Sequence, residues 1–284
     1  MTLDALRDTS GTFRVLAIDH RDSLRRFLAP DAPASVTRAD IVELKRTLIR
    51  SVAPHATGVM LEPEYSIPDL VGELPPSVGF FAALEAQGYL DDPSIAVTSV
   101  MPGWSVEAAA ASGAACAKLL LPYHPDRSTA DAQVAAAAEV VAECRRVGLP
   151  VVLEPLFFGL DDPADRFRVV HATARRFAAV GPDLLKLPFP VDPGLVADRA
   201  ERVEACARIT EVCTQPWAIL SGGGTFESFA EQARDAMAAG ASGFMVGRAL
   251  WGEAARARGH EQQRLIDEVV LPRWRTLVAL TSPN

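Results

Sequence analysis

The sequence predicts an α/β protein, a single (β/α)8 TIM barrel with residues 1–284 forming one domain. Three observations point there. Eight short apolar stretches alternate with segments of helical spacing, with no linker or low-complexity break between them. The length of 284 residues suits one large α/β domain. Polar residues fall where the apolar stretches end, which in such a barrel is the face that carries chemistry. An open doubly wound sheet is the main alternative. It requires a glycine fingerprint after the first strand, where this chain has Asp19-His20-Arg21.

In order, Phe13 to Ile18 is the first strand, and Thr37 to Val52 is a helix with Ile41, Leu44, Leu48 and Val52 on one side. Gly58 to Leu61 is the second strand and ends at Glu62-Pro63-Glu64-Tyr65. Pro68 to Pro76 reads as loop and Phe80 to Gln87 as helix. The third strand is expected at Ile95 to Val100, closed by Met101-Pro102-Gly103. A helix over Val106 to Ser112, capped by Gly113, precedes a fourth strand at Ala115 to Leu121. Ala130 to Val147 is a long alanine-rich helix before Gly148, and Pro150 to Leu153 is the fifth strand. Ala164 to Ala179 is helical, Asp183 to Leu187 is the sixth strand, and Pro193 to Cys213 is mostly helical. Trp217 to Leu220, a helix over Phe226 to Ala239, and Gly243 to Val246 complete the alternation. The tail from Glu261 to Leu280 is helical.

Composition narrows the function. Hydrophobic residues make up 49% of the chain, enough for a sizeable core. A net charge of -8 and a pI near 5.2 argue against a nucleic-acid or membrane surface. Cys116, Cys144, Cys206 and Cys213 have no CxxC spacing, so a zinc site is not expected. They read as reduced thiols of a cytoplasmic protein. Met1-Thr2-Leu3-Asp4 lacks the basic and apolar regions of a signal peptide, and no apolar run is long enough to span a membrane. The expected partners are a small molecule and further copies of the chain, a homo-oligomer, with neither nucleic acid nor membrane.

The stretch Pro182 to Pro190 places Lys186 inside a short apolar run closed by prolines. A buried lysine is costly unless paired or deprotonated. Its ammonium could reach solvent from a strand end, but it has company. Strand four carries Lys118, strand five ends in Glu154, and strand one ends in Asp19 and Arg21. Alternation along each strand allows Lys118, Glu154 and Lys186 to point into one mouth. Lys118 and Glu154 alone could be a buried ion pair, and Asp19 a loop cap. Two lysines and a carboxylate converging without a use is expensive. The chemistry that needs this set is Schiff-base catalysis. Lys186 is then the nucleophile, Lys118 the cation that tunes it, and Glu154 the acid/base. Asp19 and Arg21 orient polar substrate groups.

The other end of the mouth reads as an anion site. Ser221-Gly222-Gly223-Gly224 follows strand seven and precedes a helix, and Gly247-Arg248 follows strand eight. Loops after strands seven and eight of such barrels hold phosphate through backbone N–H groups and a helix N-terminus. Arg248 adds a charge-assisted contact. The glycines could otherwise be tight turns only.

Together, several stretches carry a resemblance over nearly the whole chain. They are Leu16 to Arg21, Met60 to Tyr65, Lys118 to Leu120, Leu153 to Pro155, Leu184 to Pro188, Leu220 to Gly223, and Gly247 to Trp251. The chain resembles class I aldolases of the tagatose 1,6-bisphosphate aldolase and sulfofructose 1-phosphate aldolase family. Asp19-His20-Arg21 and Tyr123 to Asp126 are also similar to the aldolase domain of inositol breakdown. The resemblance implies a Schiff-base lysine at Lys186, acid/base chemistry at Glu154, a supporting lysine at Lys118 and no metal or other cofactor. It implies phosphate held at Ser221 to Gly223 and by Arg248, with dihydroxyacetone phosphate as the ketone half. The chain departs from it at His20, where glutamine is usual, and at Glu62, where aspartate is usual. Both are expected as substrate contacts, although His20 could be only a polar filler. Other readings are a sugar-phosphate isomerase or epimerase, an inositol-pathway aldolase acting on a phosphorylated keto-acid sugar, and a non-catalytic sugar-phosphate sensor.

Overall fold

The computed structural model describes residues 3–88 and 91–281. The leader expectation rests partly on Met1 and Thr2, which lie outside them. Eight parallel strands close into one barrel in chain order. They are β1 (Phe13–Ala17), β2 (Gly58–Leu61), β3 (Gly79–Ala83), β4 (Cys116–Pro122), β5 (Val151–Leu156), β6 (Leu184–Leu187), β7 (Trp217–Leu220) and β8 (Gly243–Val246). The helices are α1 (Asp22–Leu28), α2 (Arg38–Val52), α3 (Ser66–Leu70), α4 (Val106–Ala111), α5 (Ala130–Val147) and α6 (Arg166–Ala178). After them come α7 (Arg199–Val212), α8 (Phe226–Ala238), α9 (Arg248–Arg256), α10 (Gly259–Leu265) and α11 (Leu271–Thr281).

Two apolar clusters hold this together. The larger joins the outer strand faces to the buried stripes of the helices, including Ile41, Leu44, Leu48 and Val52 of α2. The smaller fills the barrel with Val15, Met60, Phe81, Cys116, Val152 and Leu184, among others. Alternation along each strand therefore fixes which residues emerge at the mouth. Lys118 follows Cys116 by one inward step, Glu154 follows Val152, and Lys186 follows Leu184. Pairing of Val152 with Leu184 sets Glu154 and Lys186 abreast, and pairing of Lys118 with Val152 sets Lys118 one layer deeper.

The third strand differs from the sequence expectation. Phe80 to Ala83, expected as helix, belongs to β3, and Ile95 to Val100, expected as the strand, lies in the β3–α4 connection. Ile95 and Val97 are 68% and 48% exposed, and Val100 makes only an isolated antiparallel bridge to Glu85. A short run buried on both faces has no periodicity to separate strand from helix, whereas the β-branched alternation of Ile95 to Thr98 imitates one. Three helices, α1, α3 and α9, were not expected, α3 taking the start of the stretch Pro68 to Pro76 that reads as loop, and the helix expected from Pro193 begins at Arg199, where Asp198 caps the N–H of Ala200. The tail passes through a π-helical turn at Ile266–Val270 just before Pro272, which has no N–H to donate.

The opposite end of the barrel is closed by a 3₁₀ turn, Leu3–Leu6. Leu6 is fully buried and lies on two glycines: a β-carbon at Gly79 would stand 2.8 Å from Leu6 Cδ2. The glycines thus make room for the plug. Leu6→Ala removes buried methyls from a site that cannot collapse onto the rigid strands. It should cost about 2–5 kcal/mol, read as a lower urea midpoint at unchanged slope. An unchanged midpoint would show that this segment does not contribute to the core.

Candidate active site

The mouth is organised by one ammonium. Lys118 Nζ stands 2.8 Å from Asp19 Oδ2, 2.7 Å from Glu85 Oε1 and 3.1 Å from Glu154 Oε2. All four side chains are almost fully buried. Glu154 bridges, since its Oε1 is 2.7 Å from Lys186 Nζ. On another side Lys186 meets the thioether of Met60, at 3.5 Å. Glu85 accepts further bonds from the Leu120 N–H at 3.2 Å, while its backbone carbonyl accepts from Arg21 at 2.7 Å. Three cations and three carboxylates thus share one desolvated region, which is how buried charge is tolerated.

Burial pushes the Asp19 carboxyl up. Lys118, and after it Lys186 and His20, more than offset this and hold it far below the usual carboxylate range. Asp19 is therefore ionised throughout the working pH range. His20 is shifted the other way. Burial lowers its basicity, Asp19 opposes, and the charges of Arg248, Lys186 and Lys45 add to the fall, leaving its pKa at about 3. Its Nδ1 is buried without a hydrogen-bond partner among the described residues, and its ring meets Trp251 edge-on at 5.5 Å. Trp251 Nε1 donates to the Ala17 carbonyl at 3.2 Å, so α9 locks the end of β1 in place.

A cavity of about 350 Å³ opens beside these groups. Leu120, Leu156, Phe157 and Met245 give it apolar walls, and Glu154 and Lys186 face it. A smaller pocket of about 50 Å³ adjoins it, lined by Asp19, Arg21, Glu85 and Lys118. His20, Glu154 and Lys186 line both, so these three side chains stand at their junction.

At the β7 and β8 side, Ser221, Gly222, Gly223, Gly247 and Arg248 all line the cavity. Gly222 and Gly223 adopt φ of +57° and +79°, a region other residues rarely enter. A β-carbon at Gly223 would come 3.4 Å from the Arg248 guanidinium, so glycine also permits this close stacking. The Gly247 N–H donates to Ser221 Oγ at 3.3 Å and stitches the two loops together. Thr225 caps α8, whereas α9 begins at Arg248 without a side-chain cap. Two glycine turns, a guanidinium and an uncapped helix N-terminus suit an anionic group.

The expected residues Lys118, Glu154, Lys186, Asp19 and His20 are brought together, as are the five anion-site residues. Glu62 is not among the residues lining either cavity. Inward alternation stops there because the chain turns into α3. Its carboxylate takes Lys45 Nζ at 2.5 Å, Ser66 Oγ at 2.5 Å, and the N–H groups of Glu64 and Tyr65. That is the work of a turn cap rather than the expected substrate contact. Arg21 lines the small pocket, but its guanidinium is committed to Glu85. Glu85, Ser23 and Arg166 line the cavities and were not anticipated. Glu85 was hidden by the misplaced third strand; counting inward positions on from Phe81 finds it.

His20 should stay neutral across the range where histidines normally titrate. Its Cε1 proton, assigned by comparison with His20→Gln, should not shift between pH 8 and pH 5 in an NMR titration. A midpoint above about 5.5 would contradict this environment.

The family model for DeoC/LacD family aldolases matches residues 13–253. The tagatose 1,6-diphosphate aldolase of Lactococcus lactis subsp. lactis is 27% identical over 278 residues, covering 88% of this chain and 83% of that one. The Streptococcus pneumoniae protein of the same name is 28% identical over 283 residues, covering 90% and 85%. In structure, a Schiff base-forming fructose-1,6-bisphosphate aldolase superposes with a TM-score of 0.69 at 21% identity, covering 99% of this chain and 98% of that one. An archaeal fructose-1,6-bisphosphate aldolase, its catalytic lysine bound to a carbinolamine intermediate, gives 0.67 at 20% identity over 98% and 97%. These likenesses, with a barrel whose strand ends carry two lysines and their carboxylates, lead to one assignment: the chain belongs to the DeoC/LacD aldolase family and is a lyase.

Proposed function

We propose that the protein is a class I aldolase that reversibly cleaves a phosphorylated ketose to dihydroxyacetone phosphate and an aldehyde through a Schiff base on Lys186. The observation that carries this is the 2.7 Å contact of Lys186 Nζ with Glu154 Oε1, inside a cavity that ends on the Ser221–Gly223 and Arg248 anion site. An amine attacks a ketone only when neutral, and Glu154 stands where it can take the proton Lys186 must lose. Attack on the ketose C2 carbonyl gives a carbinolamine, and Glu154 returns its proton to the C2 hydroxyl, which leaves as water to give an iminium and a free carboxylate again. Glu154 then removes the proton of the C4 hydroxyl. The C3–C4 bond breaks, its electron pair enters the iminium to form an enamine, and the aldehyde departs. Returning a proton to C3 and hydrolysing the imine releases dihydroxyacetone phosphate and restores the amine.

In this reading Lys118 acts first on Glu154. Its ammonium is shared among Asp19, Glu85 and Glu154, so it orients the acid/base carboxylate while holding charge balance beside the iminium. The names of the relatives support a ketose bisphosphate, of the tagatose or fructose series, as substrate. A sulfofructose 1-phosphate would satisfy the same ketone half. A working homo-oligomer in the cytoplasm, with neither nucleic acid nor membrane as partner, fits such an enzyme. No helix among the described residues is long and apolar enough to cross a membrane.

Borohydride with dihydroxyacetone phosphate should add one reduced triose phosphate per chain, mapped to Lys186. Lys186→Arg should neither trap nor cleave, because arginine stays protonated. Turnover should survive chelator, since the iminium is the electron sink. An adduct on Lys118, or metal-dependent turnover without an adduct, would overturn the reading. Glu154→Gln should lower cleavage by about 10²- to 10⁴-fold while the imine with the ketone half still forms. Near-normal cleavage in that variant would transfer the proton-moving role to another group, with Asp19 the first to examine.

A further inference from the structure

The cavity has a second guanidinium. Arg166, the first residue of α6, lines it together with Phe157, Phe158 and Gly159 after β5 and Pro188 after β6. Arg166 Nε donates to the Phe189 carbonyl at 2.8 Å, and the guanidinium lies 5.3 Å from the centre of the Phe157 ring. It is thus oriented by the ends of the same two strands that deliver Glu154 and Lys186. Arg168 and Arg176, exposed on the same helix, reach Asp126 and Asp131 at 2.7 and 2.6 Å. Arg166 has no carboxylate within ion-pairing distance among the described residues. Burial lowers its basicity, only partly opposed by Asp192, yet an arginine stays charged in any such setting.

A half-buried, aligned and unneutralised guanidinium facing a reaction cavity has one economical explanation. It receives an oxyanion from the ligand, through charge-assisted bonds that are stronger for being desolvated. The ketone-half phosphate already has its place at Arg248, after β8. Arg166 is held at the ends of β5 and β6, beside the strands that carry Glu154 and Lys186, and lines the same cavity as Arg248. We propose that Arg166 is the specificity residue for the aldehyde half, binding a terminal oxyanion (phosphate, sulfonate or carboxylate), so that the ketose is anionic at both ends. A cavity of about 350 Å³ is in the range of small-molecule sites. This inference rests on the aldolase reading above and adds to it the chemistry of the second product.

The test is aldol addition to dihydroxyacetone phosphate, comparing D-glyceraldehyde 3-phosphate with D-glyceraldehyde as acceptor. The readout is the ratio of their kcat/KM values. Wild type should favour the phosphorylated acceptor, and Arg166→Gln should reduce that ratio by about 30- to 1,000-fold, chiefly through KM. Arg166→Lys, which keeps the charge, should restore part of it. Acceptors ending in sulfonate or carboxylate then rank which oxyanion the site takes. Borohydride trapping of dihydroxyacetone phosphate on Lys186 should persist in Arg166→Gln, whereas Arg248→Ala should weaken it. If trapping persists and the ratio is unchanged, or both acceptors suffer equally, the assignment of Arg166 is wrong while the aldolase reading stands. Absence of trapping in the wild type removes both.

Discussion

Everything at the mouth depends on Lys118 being shared by three carboxylates. The contacts tie β4 to β1, to the segment after β3 and to β5, with distances between 2.7 and 3.1 Å. Burying one such pair rarely gains stability, because desolvation consumes the Coulombic attraction. Losing one partner is different: it strands the remainder, at about 3–5 kcal/mol. A cluster of this kind does not hold the barrel together so much as forbid any other arrangement of its strand ends. The apolar fill below it, from Leu6 to Met245, supplies the stability, and the charged layer above fixes the geometry.

Much of this was legible because a parallel barrel repeats one rule. Each inward position follows the last by two residues, so a lysine two places after Cys116 and another two after Leu184 had to share a mouth. The same rule explains one failure. It was applied to a strand at Ile95 to Val100 that is not in the barrel, so Glu85 was invisible. Glu62 was expected from the resemblance alone, and there the backbone turns away to be capped by that carboxylate. Arg166 had no signal at all. Nothing in a helix rich in arginine marks the one turned inward, because that depends on how Phe157 and Phe189 close around it.

The cavity receives fixed cations from two sets of strands. Arg248 and the glycine turns stand after β7 and β8, while Arg166 is held at the ends of β5 and β6, the strands that carry Glu154 and Lys186. Fixed cations in the cavity wall orient an anionic ligand before chemistry begins, and apolar walls strengthen them by excluding water. In the proposed reaction the surroundings of Lys186 must be close to neutral, since they have to accommodate a cationic iminium as it forms. Asp19 and Glu154, held near Lys186, balance that charge without reorganisation.

His20 fits this ordering only in its neutral form. Protonated, it would add a fourth cation to Lys186, Arg248 and Lys45, all of which already depress its basicity. Such a charge would oppose the proposed iminium at the moment it forms. Neutral, the imidazole presents one donor and one acceptor beside the reactive pair, much as a primary amide does. That equivalence accounts for an otherwise awkward difference from the resembling aldolases, in which glutamine is usual at this position. Burial, the edge contact with Trp251 and the surrounding positive field convert a titratable side chain into a polar, uncharged one. The requirement at this position is thus for neutrality and hydrogen-bonding capacity, and the electrostatics of the barrel mouth let a histidine meet it.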